Sequence, residues 1–188
     1  MSFEIGETYF GFNLVDEYEV KEIQSIARIF YHGKSGAQLL HLENDDDNKV
    51  FSIGFRTPPS DSTGVPHIIE HCVLSGSRKY TTKEPFMDMV KGSLQTFINA
   101  MTFADKTVYP VASRNDKDFF NLMDVYLDAT LYPKIYEIPE IFMQEGWHYE
   151  LFKDEDDIEY NGVVYNEMKG AFSSPERILS ENISKSLY

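Results

Sequence analysis

Apolar and polar residues follow a helical period in the segment from Gly64 to Leu74. At about 100° per residue, one face of this segment carries four apolar residues, Val65, Ile68, Ile69 and Cys72. The opposite face carries His67, Glu70 and His71, with the two histidines one turn apart at positions i and i+4. Pro66 suits the first helical turn, and Thr63 or Ser62 can cap it. We therefore predict a helix whose apolar face enters a core and whose polar face can hold a metal ion.

The rest of the chain mixes the period of a strand with that of a helix. Short strands are predicted at 26–31, 37–42 and 49–56, and the polar loop 43–48 suggests a hairpin between the last two. Strands at 96–101 and 107–111 predict a second hairpin, and 146–152 reads as a further strand. Helices are predicted at 84–94, between an Asn115 cap and Pro133, at 139–144, at 163–170, and after a capping-box start at 173–176. Because no regular βαβ alternation is present, we predict an α+β fold, a mixed and largely antiparallel sheet with helices packed on it.

The charge balance narrows the classes of partner. With 17 basic and 31 acidic residues the formal net charge is −14, which disfavours binding to nucleic acid or to an anionic membrane. Much of the acidity lies in two runs, 43–47 and 154–159, which are more typical of solvated loops than of a binding surface.

The single cysteine and the N-terminal residues bear on the compartment. Cys72 has no intrachain partner for a disulfide, which is compatible with a reducing compartment. The first residues have no basic region and no long apolar run, so no signal peptide, transit peptide or membrane span is predicted. A cytoplasmic protein, or a processed organellar one, fits best. The last helical pattern has no stop signal, and we expect the chain to be an N-terminal fragment of a longer protein.

The polar face of the first helix has the pattern H-x-x-E-H, the reverse of the zincin motif. Two imidazoles occupy two corners of a zinc tetrahedron, and a catalytic zinc takes a third protein ligand and keeps a place for water. The glutamate between the histidines is then placed to act as a general base. The third ligand stays open among seven downstream residues, namely Glu84, Glu137, Glu140, Glu145, Glu150, Glu167 and His148. A solvated histidine pair without metal is the alternative, and His32 and His41 are expected to be ordinary strand residues.

A family resemblance adds to this reading. The ordered motifs are 67–71 (HIIEH), 76–80 (GSRKY), 83–86 (KEPF), 91–94 (KGSL), 99–100 (NA), 109–113 (YPVAS) and 162–170 (GVVYNEMKG). Together they resemble the inverzincin metallopeptidases of the pitrilysin/insulinase family, and the presequence-protease branch most closely. The similarity extends from about Thr57 to Leu179 and is far more specific than the five-residue motif alone.

The resemblance implies a set of roles. His67, His71 and Glu167 are expected to bind Zn²⁺, and Glu70 is expected to be the catalytic general base. Asn99 and Ala100 are expected to lie on an edge strand that pairs with an extended or unfolded peptide substrate; the plainer alternative is an ordinary strand. Residues 1–188 are expected to form a single, incomplete N-terminal catalytic domain. The remaining C-terminal half of the enzyme is an expected partner, without which the fragment is expected to be inactive.

Two other functions compete with a zinc endopeptidase. One is a non-catalytic peptide-binding or assembly module of the same fold, a class that usually lacks an intact metal motif. The other is a scaffold with a structural zinc, which would need four closed protein ligands. The four residues His67, Glu70, His71 and Glu167 favour the enzyme over both.

Overall fold

The computed structural model describes residues 3–82, 85–151, 153 and 157–187. Glu84, one of the candidate ligands, therefore lies outside the described residues, as does part of the acidic run 154–159. The chain divides into two compact units, Met1–Asp47 and Asn48–Tyr188, which are described separately. The prediction of a single domain stays a prediction.

The first unit is an antiparallel sheet whose four strands follow chain order. The strands are β1 (Thr8–Tyr9), β2 (Phe12–Val20), β3 (Ser25–His32) and β4 (Gln38–Glu43), with a short 3-10 helix at Lys21–Ile23 between β2 and β3. Arg28 on β3 is buried and forms ion pairs with Glu17 on β2 and Glu43 on β4. Strand β2 escaped the sequence prediction because its alternation is weak; Leu14 is its one buried residue.

The sheet of the second unit is built around one buried strand. This strand, β8 (Lys106–Ser113), pairs on one side with β5 (Lys49–Arg56) and on the other with β6 (Gln95–Ile98) and β7 (Met101–Thr102), always antiparallel. The hairpin of β6 and β7 with β8 confirms the prediction. The predicted hairpin of strands 37–42 and 49–56 is wrong, since β4 pairs with β3 and β5 pairs with β8. The polar loop is compatible with a tight turn, but the apolar residues Phe51 and Ile53 of β5 lie opposite Val111 and Tyr109 of β8.

Among the described residues, six helices and a small hairpin complete the second unit. The helices are α1 (Val65–Val73), α2 (Pro85–Gly92), α3 (Asp116–Leu131), α4 (Pro139–Glu145), α5 (Val163–Ala171) and α6 (Pro175–Leu187). A 3-10 turn (Lys134–Tyr136) precedes α4, and β9 (His148–Glu150) pairs with β10 (Glu159–Asn161) before α5. The main core lies between the sheet, α1 and α3, and its buried members are Val73, Tyr109, Val111, Leu122 and Tyr126. These elements confirm the α+β class.

Two of the predicted helix caps had different outcomes. The Asn115 side chain accepts a hydrogen bond from the Asp118 amide at 3.0 Å, as expected for an N-cap. At α1 the predicted cap from Thr63 or Ser62 is wrong, because Gly64 occupies the N-cap position with φ = 78° and no side chain caps the helix. The Thr63 hydroxyl instead donates to Asp61. Within the described ranges, no helix combines the length and the apolar character needed to cross a membrane.

Candidate metal centre

The apolar face of α1 decides where its histidines lie. Ile68 and Cys72 are buried against Val164 of α5, and Ile141 of α4 and Met168 of α5 pack around them. Val164 and Met168 are one turn apart on α5 and both face α1. Glu167, next to Met168, therefore lies at the edge of the contact between α5 and α1. The packing of three helices thus brings together polar residues that are about a hundred positions apart in the sequence.

Three donor atoms face one another at this rim. The carboxylate Oε2 of Glu167 lies 3.4 Å from Nε2 of His71 and 3.8 Å from Nε2 of His67. A tetrahedral zinc with ligand bonds of about 2.0–2.1 Å requires donors about 3.4 Å apart. Two imidazole nitrogens and one carboxylate oxygen are also ligand types that zinc prefers. The three residues therefore fit a zinc ion by chemistry and by spacing.

Glu70 is the second carboxylate near the histidines. Its side chain is buried on α1, and the ligand-type atoms of His67, Glu70 and His71 lie within 4.8 Å of one another. Its Oε2 accepts a hydrogen bond of 2.5 Å from the Thr102 hydroxyl on β7. By position alone either Glu70 or Glu167 can complete a metal sphere. The separations of Glu167 fit a tetrahedron, whereas Glu70 is already engaged by Thr102.

Glu145 at the end of α4 supports one of the histidines. Its Oε2 is 3.1 Å from Nδ1 of His71, and its Oε1 accepts from the Gln144 side chain at 3.1 Å. Because a carboxylate accepts hydrogen bonds, Nδ1 of His71 donates and its Nε2 keeps a lone pair for a metal. Carboxylate partners of this kind orient metal-binding histidines. Sequence reasoning counted Glu145 only as a candidate ligand, and no periodic signal distinguished the two roles.

The other candidate ligands lie in different surroundings. Glu137 caps the 3-10 turn before α4, and Glu140 is exposed in the first turn of α4. Glu150 accepts from Asn161 within the small hairpin, while His148 is exposed on β9. None of these four has a contact with His67 or His71 among the described residues.

Asn99 and Ala100 lie where the outer strand beside β8 is interrupted. They join β6 to β7, and the Asn99 amide donates to the Pro110 carbonyl at 3.1 Å. Pro110 has no N–H to return to the Asn99 carbonyl, which accepts instead from the Tyr126 hydroxyl at 3.1 Å. The Ala100 amide is turned toward Asn99 Oδ1, 3.0 Å away. The two residues therefore sit at the sheet edge, in a short break between two strands.

A single cavity joins these groups. It has a volume of about 1160 Å³ and is lined by His67, Glu70, His71, Glu167, Asn99 and Ala100, with apolar side chains from α2 and the loop after β7. Cys72 does not face this chemistry: burial, followed by the charge of Glu145, raises the pKa of its thiol to about 12. The thiol therefore stays protonated at neutral pH and is not an available ligand.

A helix with H-x-x-E-H, a glutamate brought beside it from a later helix, and an adjoining antiparallel sheet define the inverzincin class of metallopeptidase. The model of the insulinase family (peptidase family M16) matches residues 50–188, and the chain belongs to this family. The family resemblance found in the sequence is thereby confirmed.

Three relatives show how far the similarity extends. The chain is 60% identical over 188 residues to Protein HypA of Clostridium perfringens, covering 100% of this chain and 19% of that protein. It is 55% identical over 177 residues to presequence protease 1, chloroplastic/mitochondrial, of Arabidopsis thaliana, covering 94% of this chain and 16% of that protein. It is 46% identical over 190 residues to the mitochondrial presequence protease of Mus musculus, covering 100% of this chain and 18% of that protein. The chain thus spans less than a fifth of the length of these relatives.

Proposed function

We propose that this chain carries the metal site and the general base of a zinc endopeptidase that cleaves short or unfolded peptides. His67, His71 and Glu167 are the zinc ligands, and Glu70 is the base. The observation that carries the proposal is the position of Glu167, whose Oε2 lies 3.4 Å and 3.8 Å from the Nε2 atoms of the two histidines. Two histidines on one helix arise by chance, but a third donor from another helix at tetrahedral spacing is a specific arrangement.

The residues divide the work of peptide hydrolysis. Zinc bound at this site would activate a water molecule and polarise the scissile carbonyl. The Glu70 carboxylate takes one proton from the attacking water while the water oxygen bonds to the carbonyl carbon, and it then gives that proton to the leaving amine nitrogen. The C–N bond breaks to give a carboxylic acid and an amine, and the second water proton then passes from the acid to the amine, which leaves a carboxylate and an ammonium group. No covalent enzyme intermediate is formed. Glu145 holds the His71 ring with Nε2 directed at the site.

The substrate is proposed to bind as an extended strand at the edge formed by Asn99 and Ala100. This edge and the candidate ligands line the same cavity. Main-chain pairing accepts varied sequences, which suits an enzyme that acts on unfolded peptides. In such a complex the Ala100 amide would exchange its contact with Asn99 Oδ1 for a substrate carbonyl. Cleavage is proposed to require the remaining C-terminal half as well, because the relatives are more than five times as long as the matched region.

The test is zinc content and peptide hydrolysis of the full-length protein and two variants. Glu70→Gln is expected to keep stoichiometric zinc and to lose at least about 10²-fold in kcat, the lower end of the effect of a general base. Glu167→Gln is expected to lose zinc and activity together. Added zinc should restore activity to the chelator-treated wild type and leave Glu70→Gln inactive.

Each outcome separates the candidate functions. Hydrolysis retained by Glu70→Gln would refute the assigned base. Zinc retained with full affinity by Glu167→Gln would refute the third ligand, and a fourth protein ligand would favour a structural metal. A wild-type protein that binds peptides tightly but never cleaves them would favour the non-catalytic peptide-binding module.

A further inference from the structure

The general base of the proposed mechanism is tied to the sheet by one hydroxyl. Thr102 on β7 donates its proton to Oε2 of Glu70 across 2.5 Å. Glu70 is 6% exposed, so this hydrogen bond is largely shielded from water. Among the described residues, Thr102 is the hydrogen-bond partner of this carboxylate. Hydrogen bonds to charged acceptors in such surroundings are short and about twice as strong as neutral ones.

Thr102 is itself the end of a chain of hydroxyls. The Thr57 and Thr107 hydroxyl oxygens are 2.8 Å apart, and those of Thr107 and Thr102 are 3.4 Å apart. Each hydroxyl has one proton to donate, and a carboxylate accepts. Since Thr102 donates to Glu70, Thr107 donates to Thr102 and Thr57 donates to Thr107. In this arrangement all three protons point toward Glu70, and the 3.4 Å link between Thr107 and Thr102 is the weakest of the three.

The position of Glu70 makes this restraint consequential. Its carboxylate lies close enough to His67 and His71 to join them in holding a metal, since their ligand-type atoms fall within 4.8 Å of one another. A carboxylate bound to the metal is a weaker base toward water, because the cation stabilises its ionised form. A base on the same helix as two ligands must therefore be held away from the metal by something else.

The geometry points to Thr102 as the positioning residue that keeps Glu70 a base and prevents it from becoming a metal ligand. This inference rests on the proposed function. Thr102 holds Oε2 toward β7 and leaves the other carboxylate oxygen for the attacking water. Thr107 and Thr57 act through Thr102, and Thr107 is buried on the central strand β8, so the chain of hydroxyls is anchored in the middle of the sheet.

A purely structural role would be a tether between α1 and the sheet. The two roles make different predictions when the hydroxyl is removed. Loss of a tether loosens α1, so metal affinity and activity fall together. Release of a restrained carboxylate lets Glu70 reach the metal, so kcat falls while metal affinity stays equal or rises.

The test compares three variants at this position in the full-length protein with a matched control. Thr102→Val and Thr102→Ala remove the hydroxyl, the second without adding any bulk, and Thr102→Ser retains it. Thr130→Val is the control, because Thr130 is also half-buried but bonds to the Tyr126 carbonyl within α3. The measurements are zinc affinity by chelator competition, kcat and KM on an unstructured peptide, and the visible spectrum of the cobalt(II)-substituted protein.

For Thr102→Val and Thr102→Ala we expect kcat to fall about 10- to 100-fold, the usual cost of removing an outer-sphere partner. KM should change little, zinc affinity should not fall, and the cobalt spectrum should shift toward higher coordination. Thr102→Ser and Thr130→Val should match the wild type in all four readouts.

Three results would overturn the inference, and a fourth would refute the proposed function as well. Wild-type kcat in Thr102→Ala, or a parallel loss of zinc affinity and kcat, would show that Thr102 does not position the base. An unchanged cobalt spectrum with reduced kcat would refute the claim that Glu70 is withheld from the metal. If the wild type neither binds zinc nor cleaves the peptide, the proposed function itself fails, and this inference fails with it.

Discussion

Removal of the Glu145 carboxylate should weaken metal binding without unfolding the protein. Glu145 is the one described contact to Nδ1 of His71, at 3.1 Å, and its side chain is 10% exposed. Glu145→Gln keeps an acceptor and loses the charge, so it forfeits about half of a charge-assisted bond, roughly 1 kcal/mol. Glu145→Ala loses the whole contact, for which an outer-sphere partner typically accounts for about 10- to 100-fold in metal affinity. We therefore expect about a 5-fold loss for Gln and a larger loss for Ala.

The assay is chelator competition for zinc at neutral pH, with circular dichroism to establish that each variant is folded. Glu140→Ala is the matched control, since Glu140 is a carboxylate on the same helix and lines the same cavity without touching His71. Its zinc affinity should stay within about twofold of the wild type, as for an exposed charge with no direct partner among the described residues. The reasoning would be refuted if the wild type and a folded Glu145→Ala bound zinc with equal affinity. It would also be refuted if Glu145→Gln lost more zinc affinity than Glu145→Ala.

Three further predictions concern stability and acid sensitivity. Asp128→Ala should lower the free energy of unfolding by about 2 kcal/mol and the melting temperature by about 4–8 °C. The reason is that the buried carboxylate accepts hydrogen bonds from the Lys79 amide at 2.7 Å and from the half-exposed Arg78 at 3.0 Å. A melting temperature equal to that of the wild type would contradict this. Burial alone would raise the pKa of Asp128, but hydrogen bonds led by the Lys79 amide lower it. The contribution of Asp128 to folding stability should therefore be present above pH ~4 and be lost as the pH falls below that value. Chemical denaturation at several pH values should show a smaller pH dependence of stability for Asp128→Asn than for the wild type. Gly162→Ala should lower the free energy of unfolding by more than about 1 kcal/mol, because φ is 151° and an added Cβ would lie 2.5 Å from the Gly146 carbonyl oxygen. Gly170→Ala is the control: its added Cβ would lie in open space, and this variant should melt like the wild type.

Local patterns predicted the helices well and the partners of the strands less well. The two faces of α1 were readable because burial and helical period act over a few residues: Ile68 and Cys72 are buried, as the pattern indicated. The apolar face of β5 was equally readable, yet its pairing with β8 was not. Strand partners depend on which apolar surfaces meet in the folded chain, and a short polar loop is weak information about that choice.

The site could be predicted from the sequence in part. The i, i+4 spacing of His67 and His71 indicated a helical face that can hold a metal, with a solvated histidine pair as the alternative. Glu167 was one of seven candidates until the family resemblance singled it out, because no periodicity links a residue on α5 to one on α1. The contacts of Glu145 and Thr102 had no sequence signal, since each depends on a tertiary contact.

Burial of Glu70 shows why a helical pattern alone cannot assign a base. On the helical wheel Glu70 belongs with the histidines on the polar face, and the pattern does not say what covers it. In the fold β7 covers this part of α1, so Glu70 is 6% exposed, whereas the Glu167 side chain is 53% exposed. An ionised carboxylate is stable in such a place only with a hydrogen-bond donor, and Thr102 provides it. In the proposed assignment the more exposed glutamate binds the metal and the buried one is held beside it, so one contact with the sheet edge separates the two roles of chemically identical side chains.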